Sequence, residues 1–362
     1  MYKRQSLDGG DAALLDKVNR PAASLDFDRI VEGLIAGAKP DEAILENLKG
    51  DMLKSRADAK LNQSRCFGAL QRYLFYGGDF IRRTTLTDPA LQALTSEQLL
   101  AKIGGLMGKQ HEVLYYGPQK EAEVKSALAE HHKVAADLQP LEKKFSTLLP
   151  TDANKVVLAQ YDAKQLYYLQ FSNRGEKFDV AADPEITLYN EYFGGGMNTI
   201  VFQEMREARG LAYTAWATLA TPSNANGDYS YYAFIATQND KMQKAVEAFD
   251  DIINNMPESE AAFKLAKEAV LTNLRTSRTI KDEVLWKYIA NKDLGVTEDR
   301  NKAIFEKVQD MTFADLKAAQ EQWIKDRKYT YCILGDLKDL DQDYLRKLGP
   351  VQIVSQKEMF GY

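Results

Sequence analysis

The chain has 362 residues, with 47 Lys+Arg against 52 Asp+Glu, a net charge of −5, and 45% hydrophobic and 27% charged residues. At about 100 to 200 residues per domain, that composition describes a globular protein of two or three domains. It lacks both the basic field that would hold a nucleic acid and any apolar run near the roughly 18 residues that would span a bilayer.

The N-terminal stretch MYKRQSLDGGDAALLDK has no signal-peptide core and no small-residue cleavage site. It reads as the edge of a fragment. Phe27, Ile30, Val31, Leu34 and Ile35 follow helical spacing, closed by Gly37 and Pro40. A second helical pattern runs from Asp41 through Ile44, Leu48 and Met52, then past Leu61 into Phe67, Leu70, Leu74 and Phe75, where Gly77 and Gly78 break it. Thr95 and Ser96 open a short helix carrying Leu99, Leu100 and Ile103, which leads into an expected strand at Glu112–Tyr116.

Cysteine and histidine limit the metal chemistry. Cys66 and Cys332 are 266 positions apart with no CxxC spacing, which argues against a disulfide framework and a thiolate zinc site and suits two part-buried thiols. The only histidines are His111, His131 and His132. The window His111-Glu-Val-Leu-Tyr115 begins like HExxH, but Tyr115 replaces the second ligand and the segment reads as a strand rather than a helix. The inverted form fails at Ala127-Leu-Ala-Glu130-His131, where alanine stands at the first ligand position. These histidines read as solvated residues at an element's edge, and a catalytic zinc on this chain is not expected.

Later in the chain, Val156–Gln160 and Gln165–Phe171 are β-rich runs around a turn. Glu185–Phe193 starts a helix, and Asn198–Arg209 continues as one with Ile200, Val201, Met205 and Ala208 on its apolar side, ended by Gly210. Tyr213–Ala220 and Tyr229–Thr237 form a hairpin around Asn226-Gly227. Tyr229, Tyr231 and Tyr232 read first as sheet packing, with a peptide-chamber lining as the alternative. The order helix, Pro, long helix, Thr-opened helix, strand ending in Gly then reappears as Ala245–Asn255, Pro257, Glu258–Thr276, Thr312–Lys325 and Tyr329–Gly335. Pro40 and Pro257, Thr95 and Thr312, Leu99 and Leu316, and Leu128 and Leu345 are 217 apart; Leu34 and Ile252, Leu53 and Leu271, and Gly117 and Gly335 are 218 apart. A period this long means a duplicated domain. The first copy lacks a front portion of roughly 80 residues. The expected fold is α+β, a mixed, largely antiparallel sheet with helices packed on one face.

Residues 189–217, YNEYFGGGMNTIVFQEMREARGLAYTAWA, carry the most information. Gly194, Gly195 and Gly196 allow a tight path between two helical pieces. A phosphate cradle is rejected, because neither Lys-Ser/Thr at Walker spacing nor GxGxxG is present. Arg206 in the last helical turn and Tyr213 at the start of the next strand, with Gly210 as the structural turn between them, converge on one side of a helix-to-strand corner. A guanidinium and a phenol suit a peptide carbonyl and the charge it gains under attack, although dipole compensation and packing explain each residue equally well by itself.

The run Met205-Arg206-Glu-Ala-Arg209-Gly210-Leu211-Ala212-Tyr213, behind its glycine turn, resembles the C-terminal domain of the insulinase, or pitrilysin, family of zinc metallopeptidases, where the sequence is like LREKRGLAY. The resemblance implies a duplicated insulinase-type unit, with a partial domain over 1–137 and a complete C-terminal domain over 138–362. It implies a rear half of a clam-shell endopeptidase, in which Arg206 and Tyr213 hold the substrate near the scissile bond. It further implies that an HxxEH motif in a zinc-bearing N-terminal half or partner subunit supplies the metal. The matching window here, Leu188-Tyr-Asn-Glu191-Tyr192, keeps the glutamate and lacks both histidines. No cofactor is therefore expected on this chain, and no catalysis by it alone. An inactive partner subunit or a structural scaffold of the same fold is the alternative. Cleavage preference is not legible, and the compartment stays open between bacterial periplasm and cytoplasm.

Overall fold

A computed structural model of the chain describes residues 33–132, 134–141 and 145–362. Of these, 33–50 and 92–141 belong to one compact unit, and 51–91 and 145–362 to another. The division falls inside the helix Glu42–Lys60.

In the first unit, residues 33–37 are helical, while Phe27, Ile30 and Val31 lie outside the described residues. Thr95 caps the helix Ser96–Gly104 through a reciprocal pair with Gln98, satisfying two N–H groups that the first helical turn leaves open. The Glu42 carboxylate accepts from both the N–H and the hydroxyl of Ser96 at 2.8 Å. A further helix spans Glu121–His131. The strand expected at Glu112–Tyr116 is not formed; the described residues of this unit pair only at a single bridge between Lys109 and Gln139. A β-rich run needs a neighbouring edge before its pattern becomes a strand, and Val113, Leu114 and Tyr116 are exposed.

The second unit is built on one six-stranded sheet. Its strands are β1 (Lys155–Gln160), β2 (Gln165–Ser172), β3 (Thr214–Ala220), β4 (Ser230–Gln238), β5 (Thr330–Gly335) and β6 (Val351–Ile353), in the order β3-β4-β2-β5-β1-β6. The β3–β4, β4–β2 and β2–β5 ladders are antiparallel, whereas β1 runs parallel to both β5 and β6. The sheet is therefore mixed, with most of its ladders antiparallel.

Period-two alternation divides the strands between two cores. Val156, Leu158, Leu166, Tyr168, Tyr231, Ala233, Tyr331 and Ile333 point to one face, where the helices Met242–Asn254, Glu260–Thr276 and Phe313–Trp323 cover them. Val157, Ala159, Leu169, Phe171, Cys332 and Leu334 point to the other, where they meet Cys66, Phe67, Leu70 and Leu74 of the helix Gln63–Thr84 and Met359 and Phe360 of Gln356–Phe360. Those three long helices thus lie on one face, and the opposite face is covered as well. Covering both faces explains why Val156–Ala159 reads as an unbroken apolar run. Gly77, at φ +79, kinks the helix Gln63–Thr84 where the sequence placed a break.

Within the first of these cores, Gln170 of β2 donates a side-chain hydrogen bond to Asp250 of the helix Met242–Asn254. Burial raises the Asp250 carboxyl to about 6, against the opposing effect of the Gln170 bond. Because the folded value lies above the ordinary 3.8, the fold binds this proton more tightly than the unfolded chain, and its stability falls as pH rises through that interval. Relative to Asp250→Asn, wild type should lose about 2 kcal/mol between pH 4 and pH 6 and level off about one pH unit higher, read from urea midpoints across that range; parallel pH profiles for the two proteins would contradict this.

Candidate functional site

The segment singled out in the sequence forms a corner of the second unit. The helix Asp183–Tyr189 enters it with Pro184 in the first turn, which suits the φ that a helix start requires. Asp183 is buried and takes a two-pronged ion pair from Arg300, at 2.6 and 2.9 Å, and the Trp323 indole donates to Glu185 at 2.7 Å. These contacts fix the helix at its first turn.

At its far end the helix widens into a π-helical turn, Asn190–Gly194. After Gly195 and Gly196, the helix Ile200–Phe202 widens in the same way over Gln203–Ala208. The segment expected as one α-helix to Arg209 is therefore π-helical through its second half. The Leu211 N–H donates to Met205 O at 2.9 Å and the Gly210 N–H to Arg206 O at 3.1 Å, with Gly210 at φ +57. A wider turn shifts the direction of each following side chain, and such bulges recur at functional sites. Here the shift swings Arg206 toward the start of β3.

Arg206 and Tyr213 come together. The Arg206 guanidinium carbon sits 4.9 Å from the Phe202 ring centre and 5.3 Å from that of Tyr213, both within cation–π range. Tyr213 is 73% exposed. The guanidinium makes a loose contact of 3.5 Å with Glu207. Both side chains line a cleft of about 790 Å³, together with Glu191, Trp216 and the backbone of β3 from Thr214 to Thr218.

The four glycines have different roles. A Cβ on Gly194 would lie 2.2 Å from the Ala217 carbonyl oxygen, so this position admits no side chain. Gly195 has open space around it, and Gly196 meets only Thr199, at 3.7 Å. Gly210 is held by its left-handed backbone rather than by crowding. Tyr229 and Tyr231 are buried against the helices, and Tyr232 packs with Phe75 and Phe171; none of the three lines the cleft.

Sequence reasoning missed three residues of this corner. Phe202 stands four positions before Arg206, a helical spacing that signals contact. Asn190 secures the edge of β3, its amide donating to Leu219 O and its carbonyl accepting from Leu219 N–H, both at 2.9 Å. Trp216 forms the cleft wall and stacks on Phe234 at 5.6 Å between ring centres. Nothing local in the sequence marks Asn190 or Trp216.

The donor set does not fit a zinc ion. Leu188 and Tyr192, which the resemblance sets against the two histidines of the HxxEH motif, are buried, and the Tyr192 hydroxyl already donates to Pro257 O at 2.7 Å and accepts from Ser259 N–H at 3.1 Å. Glu191 alone reaches the cleft. His111 and His132 approach each other in the first unit with ring nitrogens 2.6 Å apart, and among the described residues no three His, Cys, Asp or Glu side chains gather as a metal set.

The family model for the Peptidase M16 inactive domain matches residues 110–270, which include the glycine turn, Arg206 and Tyr213. Over those residues the chain matches the insulinase, or M16, family. A solved peptidase M16 inactive domain from Pseudomonas fluorescens is similar at 15% identity and TM-score 0.62, over 82% of this chain and 71% of that one. A conserved protein from Enterococcus faecalis V583 is similar at 13% identity and TM-score 0.62, over 83% and 69%. A protease from Helicobacter pylori is similar at 16% identity and TM-score 0.50, over 69% and 61%. Likeness at these identities shows the shared fold. No curated protein matches the chain. Among the described residues no helix is long and apolar enough to cross a membrane.

Within the matched residues the Gly194 contact is testable against its neighbour. Gly194→Ala should destabilise the chain by about 1 to 3 kcal/mol through overpacking, while Gly195→Ala should stay within about 0.5 kcal/mol. Equal midpoints in urea for the two variants would reject the close contact.

Proposed function

We propose that this chain is the substrate-binding, non-zinc-bearing half of a zinc endopeptidase, competent only when a zinc-bearing half faces it. The observation that carries the reading is the meeting of Arg206 and Tyr213 at the rim of an open cleft, with the guanidinium stacked at 5.3 Å from the phenol ring and both side chains accessible. In this reading the guanidinium N–H groups and the phenol O–H donate to the carbonyl oxygen of the bond to be cleaved, as negative charge collects there. The zinc-bearing half would supply Lewis-acid activation of water. A guanidinium and a phenol hydroxyl are both hydrogen-bond donors, so the pair can hold a carbonyl oxygen without taking part in a proton transfer.

The competing reading, an inactive partner or scaffold, draws on the absence of fitting zinc donors at Leu188 and Tyr192. It gives no reason for a stacked, solvent-facing arginine in a cleft. One measurement separates the readings, and a second tests the division of labour. In the reassembled two-half enzyme, Arg206→Ala should lower peptide turnover by roughly 30- to 1000-fold, about 2 to 4 kcal/mol, with the melting temperature unchanged; full turnover would leave only the scaffold role. The purified chain should contain no stoichiometric zinc by elemental analysis, and one zinc per chain would overturn the assigned division of labour.

A further inference from the structure

The first unit repeats the rear portion of the second in local detail. The helices Glu42–Lys60 and Glu260–Thr276 start 218 positions apart, and each is opened by a side-chain cap: Asp41 accepts from the Ile44 N–H at 3.0 Å, and Ser259 from the Ala262 N–H at 3.1 Å. Lys49 donates to Gln92 O at 2.9 Å, and its counterpart Lys267 to Met311 O at 2.8 Å. Leu45 and its counterpart Phe263 are both buried. The helices Ser96–Gly104 and Phe313–Trp323 start 217 apart, each behind a reciprocal threonine cap, Thr95 with Gln98 and Thr312 with Asp315. Contacts made inside the rear portion are thus kept in both copies.

The copies differ where the rear portion meets the front. Leu34 is 64% exposed and its counterpart Ile252 1%; Leu48 is 50% exposed and its counterpart Ala266 5%. Leu106 is exposed and its counterpart Trp323 buried. In the second unit Ile252, Ala266 and Trp323 share one core with β1, β2, β4 and the helix Asp183–Tyr189. Val113, Leu114 and Tyr116 are exposed, whereas their counterparts Tyr331, Cys332 and Leu334 in β5 are buried, the first on one face of the sheet and the other two on the opposite face. β5 is an inner strand, parallel to β1 on one side and antiparallel to β2 on the other. A Cβ on Gly335 would lie 2.9 Å from that of Leu166, so β2 passes close over it; Gly117 holds the same place in the first copy.

We infer that the first unit docks a strand, strand, helix, strand, strand segment of roughly 80 residues carried by the zinc-bearing half, and that residues 112–117 become an inner strand between two of its strands, parallel to one and antiparallel to the other. This rests on the reading that such a half joins the chain, and adds how that half is held. The second unit shows what covers these positions, because there the same rear portion is closed by such a segment, residues 155–238. A second copy of this chain is unsuited, since the place between its β1 and β2 is already filled by its own β5. A bare peptide is unsuited as well: it could pair with residues 112–117, but Leu34, Leu48 and Leu106 need a folded apolar face to leave water.

Amide hydrogen exchange of the full chain, alone and in the reassembled two-half enzyme, tests this. On assembly, exchange at every amide from Val113 to Gly117 should slow by on the order of a hundredfold or more, because an inner strand pairs on both sides. Protection of alternate amides only would mark an edge contact and overturn the inner-strand placement. Leu48→Asp and Leu114→Pro, both at exposed positions, should leave the melting temperature of the isolated chain unchanged and weaken assembly by on the order of a hundredfold. Asn47→Asp puts the same charge one residue away, where the counterpart Leu265 is exposed, and should assemble as wild type does. Wild-type assembly by Leu48→Asp, or unchanged exchange over residues 113–117, overturns the inference; if Arg206→Ala still lowers turnover, the proposed function stands. Protection together with turnover indifferent to Arg206 keeps the docking and removes the carbonyl clamp. Failure of the halves to assemble removes both, and protection of these amides by self-association of the isolated chain overturns the docking.

Discussion

Gly194 and the Ala217 carbonyl lie so close that a single methyl group between them would displace one of the two backbones. That contact, with the Asn190 carboxamide clamped onto Leu219 two residues further along β3, pins a helix turn to a strand edge. Everything at the corner follows from it. The π-helical turn Asn190–Gly194 brings Glu191 to the cleft, and the second, Gln203–Ala208, turns Arg206 toward Tyr213. Each π turn sacrifices regular helical bonding, a loss that persists only where surrounding packing fixes it. Here the packing is the buried Leu188, Tyr189, Tyr192 and Phe193 beneath the first turn and Met205 beneath the second.

The same corner explains how an insulinase-type scaffold accommodates the loss of metal ligands. With Leu188 and Tyr192 in place of histidines, the helix buries apolar surface and one satisfied hydroxyl where ligands would otherwise point outward. Burial stabilises the helix position that histidines would leave polar. Glu191, Arg206 and Tyr213 are among the polar residues that line the cleft.

Much of this was legible in the chain. The alternation in Gln165–Phe171 and Tyr213–Ala220, the cap at Thr95 and the left-handed Gly210 all depend on neighbours a few residues away, and local spacing carries that information. The run Met205–Tyr213 placed arginine and tyrosine at one corner for the same reason. The strand expected at Glu112–Tyr116 shows the limit, since its pattern depends on an edge that the described residues do not supply. The π-helical turns were invisible because the residues of a π turn follow the same apolar spacing as an α-helix over so short a run. Asn190 and Trp216 were missed because their partners, Leu219 and Phe234, lie 29 and 18 positions away.

Sequence alone determined the strands β1 to β5, the likeness of the Gly194–Tyr213 segment to the insulinase family and the absence of a histidine pair around Glu191, because each is written in adjacent residues. Only the tertiary structure decided that the helix Gln63–Thr84 covers the second face of the sheet, that β3 is an edge, and that Asn190 caps this edge at Leu219. Those facts depend on which surfaces the closed chain leaves over after burying its apolar faces, and burial is a property of the whole fold rather than of any short stretch of it.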